Sequence, residues 1–262
     1  MAKVLFQHVT KRFGRTTALD DLNLAIEDGE LFAVLGPPKS GKTTLLRCLL
    51  GQEDVTEGHI IIGDRDVTEL PSADRFAFDL RARFDWSTIP EDLSVYDFVT
   101  LELRRRDIPS SEIKYRVYKV AEELGIVTLL NQKIKDLSSR APSAVGPRDK
   151  VEKAWQYLTA SVSDVVVIDV DEMFSTFDSS MRRSWLAQRA IEKLEQLRAG
   201  INPPIVCTVP HPEQAMVVAS RIAILRGGVL QQVDKPENIL KNPANDFVAN
   251  LLRSFSQSEE KE

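Results

Sequence analysis

The residues with the clearest chemistry form a glycine-rich loop, GPPKSGKT, at residues 36–43. The spacing fits the pattern GxxxxGK[ST], which arises by chance in only about one chain in a hundred of this length. In such a loop, backbone N–H groups surround the β- and γ-phosphates of a nucleotide, a lysine reaches the phosphate oxygens, and a hydroxyl ligates Mg²⁺. The candidate nucleotide-binding residues are Gly36, Pro37, Pro38, Lys39, Ser40, Gly41, Lys42, Thr43 and Thr44, with Thr43 also a candidate magnesium ligand.

A strand is predicted before this loop and a helix after it, an arrangement that would orient the backbone N–H groups of the loop toward an anion. Residues 31–35 (LFAVL) are almost wholly apolar, which predicts a strand covered on both faces of a sheet. Residues 43–50 are helix formers that end at Gly51, so the positive end of a helix follows the loop. The alternative is a Gly/Pro turn with an exposed lysine, and this placement argues against it. Pro37 and Pro38 donate no N–H, but they occupy variable positions, so the cradle survives.

The rest of the chain alternates predicted strands and helices, which favours an α/β fold with a mostly parallel sheet. Residues 4–9 and 22–26 alternate apolar and polar side chains, as half-buried antiparallel strands do. Residues 95–158 carry charge at helical spacing and predict a helical subdomain inserted into the sheet. Further strands are predicted at residues 59–62, 165–170, 205–209, 222–225 and 229–233, and further helices at residues 180–198 and 213–219.

The composition argues against several other functions. At 262 residues with 43% hydrophobic residues, the chain can bury a large core as one domain, or as one domain with an insertion. A net charge of -5 gives no footprint for nucleic acid, which needs clustered Lys and Arg. Cys48 and Cys207 lack neighbours at metal-ligand spacing and predict reduced thiols in a cytosolic protein. No segment is apolar over the length that spans a bilayer, so any membrane role is expected to need a partner.

Three longer stretches carry a family resemblance. The first is FQHVTKRFGRTTALDDLNLAIEDGELFAVLGPPKSGKTTLLRCLLG, the second is EGHIIIGDRDVTELP, and the third is EQAMVVASRIAILRGGVLQQVDKPENILKNPANDFVANLL. They resemble the ATP-binding subunits of ABC transporters, most of all the sugar-importer type, over nearly the whole chain. The resemblance implies a P-loop NTPase core with an antiparallel β-subdomain. It also implies an inserted α-helical arm that contacts membrane subunits and a second nucleotide-binding subunit.

The resemblance assigns roles to residues outside the loop. Phe13 matches the aromatic position that stacks on adenine, although a lone Phe is more often a core residue. Asp171 matches the aspartate that orients Mg²⁺, and Glu172 matches the glutamate that polarises the attacking water. DEMFSTFD resembles the family pattern DEPxSALD, so Asp178 matches the aspartate that reaches toward the dimer partner. Asp169 is a rival for the magnesium role, because it lies two residues before Asp171 on the same strand face.

Two family motifs are altered in this sequence. The glutamine that helps to hold Mg²⁺ and water falls by spacing on Asp85, a carboxylate that can ligate a metal but adds negative charge near a triphosphate. The signature motif LSGGQ is missing from both candidate segments, DLSSRA at residues 136–141 and VGPRD at residues 145–149. The first segment has side chains where paired glycines let amides approach a γ-phosphate, and Pro147 in the second has no N–H.

The switch histidine of the family is also displaced. The gapless register puts Pro210 at its place and His211 one residue later, and a slip of one residue would restore His211 as a catalytic residue. The alternative for His211 is an ordinary loop histidine. These alterations lie on both sides of a site that the family builds from two subunits, which suggests a heterodimer with an intact partner. Alone, the chain is expected to show little or no ATPase activity.

Together these patterns predict an ATP- and Mg²⁺-binding, energy-coupling subunit of an ABC transporter, and the resemblance implies an importer. The subunit would associate with transmembrane permease subunits and lie on the inner face of the cell membrane through them. The alternative is a catalytically impaired nucleotide-binding partner or regulatory subunit. We expect an ATP-binding domain over residues 1–245, with its helical insertion at about 95–160, and a C-terminal helix and polar tail over residues 246–262.

Overall fold

The computed structural model describes residues 4–75, 77–79, 86, 89–137, 146–170, 203–209 and 212–256. The chain divides into two compact units, one formed by Met1–Asp79 with Asp164–Glu262 and the other by Leu80–Ser163. In chain order, the strands of the described residues are β1 Val4–Phe13, β2 Thr16–Ile26, β3 Leu31–Leu35, β4 Glu57–Ile62, β5 Arg65–Asp66, β6 Ala77–Asp79, β7 Val165–Asp169, β8 Ile205–Thr208, β9 Arg221–Arg226 and β10 Val229–Asp234. The α-helices of the same residues are α1 Lys42–Leu50, α2 Val95–Val99, α3 Leu101–Arg105, α4 Ser110–Leu124, α5 Pro147–Ala160, α6 Pro212–Val218, α7 Pro236–Lys241 and α8 Asp246–Ser256.

The first unit contains a four-stranded antiparallel sheet in the order β2-β1-β4-β5. Its strands β1 and β2 confirm the predicted pair of half-buried antiparallel strands. Both strands continue further toward the hairpin turn that joins them than was predicted. The alternation predicted for residues 4–9 holds only to Phe6. The next two residues are both exposed, His8 has a φ of 53°, and the pairing register shifts before Val9. These are the marks of a β-bulge, which moves the following side chains to new positions on the sheet.

The second sheet of this unit has six strands in the order β10-β9-β3-β8-β7-β6. Its neighbouring strands are parallel except for β9 and β10, which confirms the predicted mostly parallel α/β fold. All five residues of β3 are buried, as the apolar run LFAVL predicts for a strand covered on both faces. The edge strand β6 was not predicted, because three residues carry too little pattern to be recognised.

One hydrophobic core joins the two sheets and α1. Helix α1 packs against β6, β7 and β8, and it buries Leu45, Leu46 and Leu49 in this core. Cys48 and Cys207 are both buried and free, and burial raises the pKa of the Cys48 thiol to about 12. The helix that follows the glycine-rich loop is therefore fixed by apolar packing rather than by its own length, which is only nine residues.

The second unit contains α2 to α5, in agreement with the helical subdomain predicted for residues 95–158. Helix α4 packs against α5, and its buried residues are spaced three and four apart on one face. These buried residues are Ile113, Val117, Val120 and Ala121. The helix ends at Gly125, whose φ of 64° is the left-handed conformation that commonly closes helices. The division of the chain at residues 245 and 246 stays a prediction.

Candidate nucleotide-binding site

The glycine-rich loop leaves the carboxyl end of β3, in the interior of the six-stranded sheet. Strands β3, β8 and β7 are parallel neighbours, so their carboxyl ends lie at one edge of the sheet. The pairing register places Val34, Thr208 and Asp169 in one row across these strands. With about 4.8 Å between neighbouring strands, Asp169 lies about 10 Å from β3, close to the level at which the loop begins.

Two glycines of the loop occupy positions that no side chain fits. Gly36 has a φ of 152°, and a Cβ there would lie 2.3 Å from the carbonyl oxygen of Leu225. Gly41 has a φ of 105°, and its Cβ would lie 2.4 Å from the carbonyl oxygen of Ala18. Both positions therefore require glycine for the close approach of backbone to backbone as well as for the backbone angle. These two contacts account for both glycines of the pattern GxxxxGK in this chain.

The turn between β9 and β10 and the strand β2 hold the loop in place. The amide of Gly228 donates to the carbonyl oxygen of Ser40 at 2.9 Å, and the amide of Asp20 donates to the carbonyl oxygen of Gly228 at 3.0 Å. Lys39 adopts a φ of 65°, which a non-glycine residue rarely does, and its side chain is exposed. The surrounding backbone thus fixes a strained loop conformation, as is common where a protein binds a ligand.

Lys42 lies inside the curve of the loop and is only 8% exposed. Its Nζ donates to the carbonyl oxygen of Gly36 at 2.6 Å and to that of Pro37 at 3.2 Å. The ammonium group is therefore held at the start of the loop, although the residue itself begins α1. This is the place for a cation that reaches phosphate oxygens.

The first turn of α1 is suited to an anion. Its cap residue Gly41 has no side chain that could accept from the first amides, and the first turn contains no acidic residue. The amides of a first turn have no acceptor within the helix, and the helix dipole adds positive potential there. The buried Ser40 Oγ has no hydrogen-bond partner among the described residues. Thr43 and Thr44 are half-buried on this turn.

The described part of the site is compatible with Mg²⁺ beside a nucleotide. The Thr43 hydroxyl is an oxygen donor on the first turn of α1, and Mg²⁺ takes few protein oxygens together with substrate phosphates. Asp169 is 1% exposed, and the Thr208 hydroxyl donates to its Oδ1 at 2.7 Å. Among the described residues, no group of three or more His, Cys, Asp or Glu side chains could hold a metal by itself.

The other predicted site residues lie outside the described part of the chain. They are Asp85 and Asp171 as magnesium ligands, Glu172 and His211 as catalytic residues, and Asp178 as the residue directed toward a dimer partner. The first candidate for the signature segment is described only at residues 136–137, and the second only at residues 146–149. All these assignments stay predictions.

Phe13 ends β1 and exposes 46% of its surface, which is high for an aromatic side chain on a strand. It pairs across the hairpin with Thr16, two residues before Ala18, whose carbonyl oxygen lies against Gly41. The ring is therefore on the same hairpin that supports the phosphate-binding loop. An exposed aromatic face at this place suits the predicted stacking on a nucleotide base.

These features decide the family when they are set beside known proteins. The ABC transporter family matches residues 19–145, a range that includes the loop, α1 and the helices up to α4. Residues 19–145 of the chain therefore carry a domain of this family. The described fold is consistent with this match, because the glycine-rich loop follows a buried parallel strand and leads into α1, as a P-loop does.

Three relatives match almost the whole chain. The osmoprotective compounds uptake ATP-binding protein GgtA of Synechocystis sp. is 37% identical over 254 residues, covering 97% of this chain and 65% of the relative. The trehalose/maltose import ATP-binding protein MalK of Thermococcus litoralis is 36% identical, with coverage of 97% and 65%. The diacetylchitobiose uptake system ATP-binding protein MsiK of Streptomyces coelicolor is 37% identical, with coverage of 97% and 63%. This chain therefore spans just under two thirds of the length of these relatives.

Solved structures agree on the fold. A nucleotide-free ATP-binding cassette from an ABC transporter superposes with a TM-score of 0.63 at 17% identity, covering 96% of this chain and 99% of that one. The ADP conformation of another ATP-binding cassette gives a TM-score of 0.63 at 16% identity, with coverage of 96% and 98%. Within the part of the chain that the structure describes, no helix is long and apolar enough to cross a bilayer.

The residues that support this ATP-binding domain from outside its motifs were not predicted from the sequence. Gly228 lies between two predicted strands, and nothing in the sequence shows that it binds the loop through Ser40. Lys11 was not selected, although its Nζ lies 4.6 Å from the centroid of the Phe13 ring. The spacing of Lys11 and Phe13, two residues apart on a strand, is the signal that places both side chains on one face.

A separate cavity of about 300 Å³ opens between β2 and β10, and none of its lining residues belongs to the P-loop. Its walls contain both apolar and amide side chains. The lining residues are Asn23, Leu24, Ala25, Arg221, Leu230, Gln231, Gln232 and Val233. The position of the candidate site therefore follows from the loop and its helix, not from this cavity.

Proposed function

We propose that this chain is the ATP-binding, energy-coupling subunit of an ABC importer and drives substrate translocation through the binding and hydrolysis of ATP. The observation that carries this proposal is the position of Lys42. Its ammonium group is buried within a glycine-fixed loop, directly before the first amides of a helix that has no side-chain cap. Family membership and the importer names of three relatives support the same function.

The proposed roles of the side chains follow from their chemistry. Lys42 and the first amides of α1 bind the terminal phosphates, and Phe13 stacks on the adenine. Thr43 holds Mg²⁺, with Asp85 and Asp171 as the proposed carboxylate ligands. When bound, the metal neutralises charge on the phosphates. Glu172 polarises the attacking water.

The proposed partners are transmembrane permease subunits and a second nucleotide-binding subunit. Through them the chain would act at the inner face of the cell membrane. Asp178 is proposed to reach toward the second nucleotide-binding subunit, and His211 to act as the switch residue. Residues 1–245 are proposed to form the ATP-binding domain, with residues 246–262 as a C-terminal segment.

Binding is tested by titrating the purified chain with MgATP in a calorimeter, alone and with its partner subunits. No heat in either case would overturn the proposed function. Turnover is tested by steady-state ATPase measurements on the assembled complex, where Glu172→Gln is expected to lower turnover strongly while MgATP binding persists. Unchanged turnover in that variant would overturn the role of Glu172.

The alternative from the sequence, an impaired nucleotide-binding partner, gains no support from the comparisons. Its sequence basis is the altered signature segment and Asp85. The same ATPase measurement separates the two functions, because an impaired partner would bind MgATP and leave turnover unchanged when Glu172 is replaced.

A further inference from the structure

The Phe13 ring has a cation against one of its faces. The Nζ atom of Lys11 lies 4.6 Å from the ring centroid, within the range of a cation–π interaction. Lys11 is only 9% exposed, whereas Phe13 is 46% exposed. The lysine therefore covers the inner side of the ring, and the exposed surface of Phe13 comes mainly from the opposite side.

Lys11 is itself fixed by the segment that follows the P-loop helix. Its Nζ donates to the carbonyl oxygen of Asp54 at 2.6 Å and pairs with the carboxylate of Glu53 at 3.0 Å. The amide of Glu53 in turn donates to the carbonyl oxygen of Arg47, in the last turn of α1. These contacts join Phe13 to the end of the helix whose first turn is the phosphate site.

We propose that Lys11 is a positioning residue for the nucleotide base, because its ammonium holds the Phe13 ring with one face open to adenine. This inference rests on the proposed ATP-binding function. The ammonium contacts the Phe13 ring, the Glu53 carboxylate and the Asp54 carbonyl oxygen, so Lys11 acts on the nucleotide through Phe13. The rigid connection to α1 sets the distance between the base subsite and the phosphate subsite.

The predicted consequence is an effect on binding of the base without an effect on binding of the phosphates. Lys11→Gln keeps a donor for the Asp54 carbonyl but removes the cation from the ring. It is expected to weaken binding of MgATP about fivefold. Binding of inorganic tripolyphosphate, which has no base, is expected to stay within about twofold of the wild type.

The experiment measures both dissociation constants by calorimetry on the full chain, with thermal unfolding as the check that each variant folds. Lys11→Arg keeps a cation over the ring and is expected to restore MgATP binding to within about twofold of the wild type. In a Phe13→Leu background, Lys11→Gln is expected to have no further effect on MgATP binding. If Lys11 supported the site independently of Phe13, Lys11→Gln would still weaken MgATP binding in this background.

Arg12→Gln is the matched control. Arg12 is the next residue along β1, is exposed, and pairs with Glu57 in an exposed ion pair. The substitution removes the same charge without touching the Phe13 ring. Both dissociation constants are expected to remain within about twofold of those of the wild type.

Three results would overturn the inference. One is unchanged MgATP binding in Lys11→Gln, and another is an equal loss for MgATP and tripolyphosphate, which would mean that Lys11 supports α1 instead. The third is the same loss in the Phe13→Leu background. A wild-type chain that binds neither ligand, alone or with its partner subunits, overturns the proposed function itself, so the two failures are distinguishable.

Discussion

Helices α1 and α5 both begin directly after a glycine, and their first turns differ. After Gly41, α1 has no acidic residue in its first turn, and the ammonium of Lys42 is held nearby. After Gly146, α5 begins with Pro147, which has no N–H, and the carboxylate of Asp149 accepts a hydrogen bond from the Gly146 amide at 2.7 Å. The first helix start has no carboxylate beside it, whereas the second has one that accepts a hydrogen bond from its cap residue.

This difference indicates why an anion is expected at the start of α1 rather than at the start of α5. A preceding glycine and a helix dipole are common to both helices, so neither feature is sufficient. The first turn must also lack an acidic side chain and have a cation beside it. Of these two helices, only α1 meets both conditions. The described part of the second signature candidate, residues 146–149, is the start of α5, where the Gly146 amide donates to the Asp149 carboxylate.

The largest effect is expected from removal of the cation at α1. Lys42→Ala should weaken MgATP binding about a hundredfold, because charge-assisted hydrogen bonds to a phosphate contribute about 1.5–3 kcal/mol. Calorimetric titration with MgATP measures the change. Lys241→Ala, an exposed lysine in α7, is the control and should bind as the wild type does. An unchanged dissociation constant for Lys42→Ala would show that the Lys42 ammonium does not contribute to MgATP binding.

Gly41→Ala tests the loop geometry. The new Cβ would lie 2.4 Å from the carbonyl oxygen of Ala18 at a φ of 105°, and the free energy of unfolding should fall by about 2 kcal/mol. Gly63→Ala is the matched control, because its φ is 63° but no atom lies within 4 Å of the position that its methyl group would take. It should lose about 1 kcal/mol from backbone strain alone. Urea denaturation measures both, and equal losses would contradict the role of the Ala18 contact.

The start of α5 is tested by Asp149→Ala. Loss of the hydrogen bond from the Gly146 amide should lower the free energy of unfolding by about 1 kcal/mol. Asp149→Asn keeps an acceptor oxygen and should recover most of that loss, as measured by thermal denaturation. A variant Asp149→Ala as stable as the wild type would mean that the carboxylate does not support this helix.

The smallest effect concerns α2, a third helix start. The Ser94 hydroxyl donates to the Asp97 carboxylate at 2.7 Å, and this bond, followed by one from Arg104, lowers the pKa of Asp97 below its ordinary value of 3.8. Because the folded pKa is lowered, the stabilisation is present above pH 3.8 and is lost as the pH falls through the folded pKa. Ser94→Ala should raise the pKa of Asp97 in an NMR titration, and an unchanged pKa would assign the shift to Arg104.

The sequence predicted those elements of the fold whose local residue pattern is compatible with only one structure. The run LFAVL predicted a buried strand, and GPPKSGKT predicted the loop after it, because both depend on residues adjacent in sequence. The bulge at His8 was not predictable, since an alternating pattern does not show where the register changes. The strand β6 was also not predicted, because it is stabilised by pairing with β7, which lies far away in the sequence.

The candidate site divides in the same way. Residue types and spacing alone determined the P-loop, with Lys42 as its cation and Thr43 as its hydroxyl, because the chemistry of phosphate binding is local to one turn and one helix start. Only the tertiary structure decided that Ala18, Leu225 and Gly228 hold this loop and that Lys11 lies against Phe13. The loop contacts join strands that are distant in sequence, and Lys11 is held in place by Glu53 and Asp54, which lie more than forty residues further along the chain.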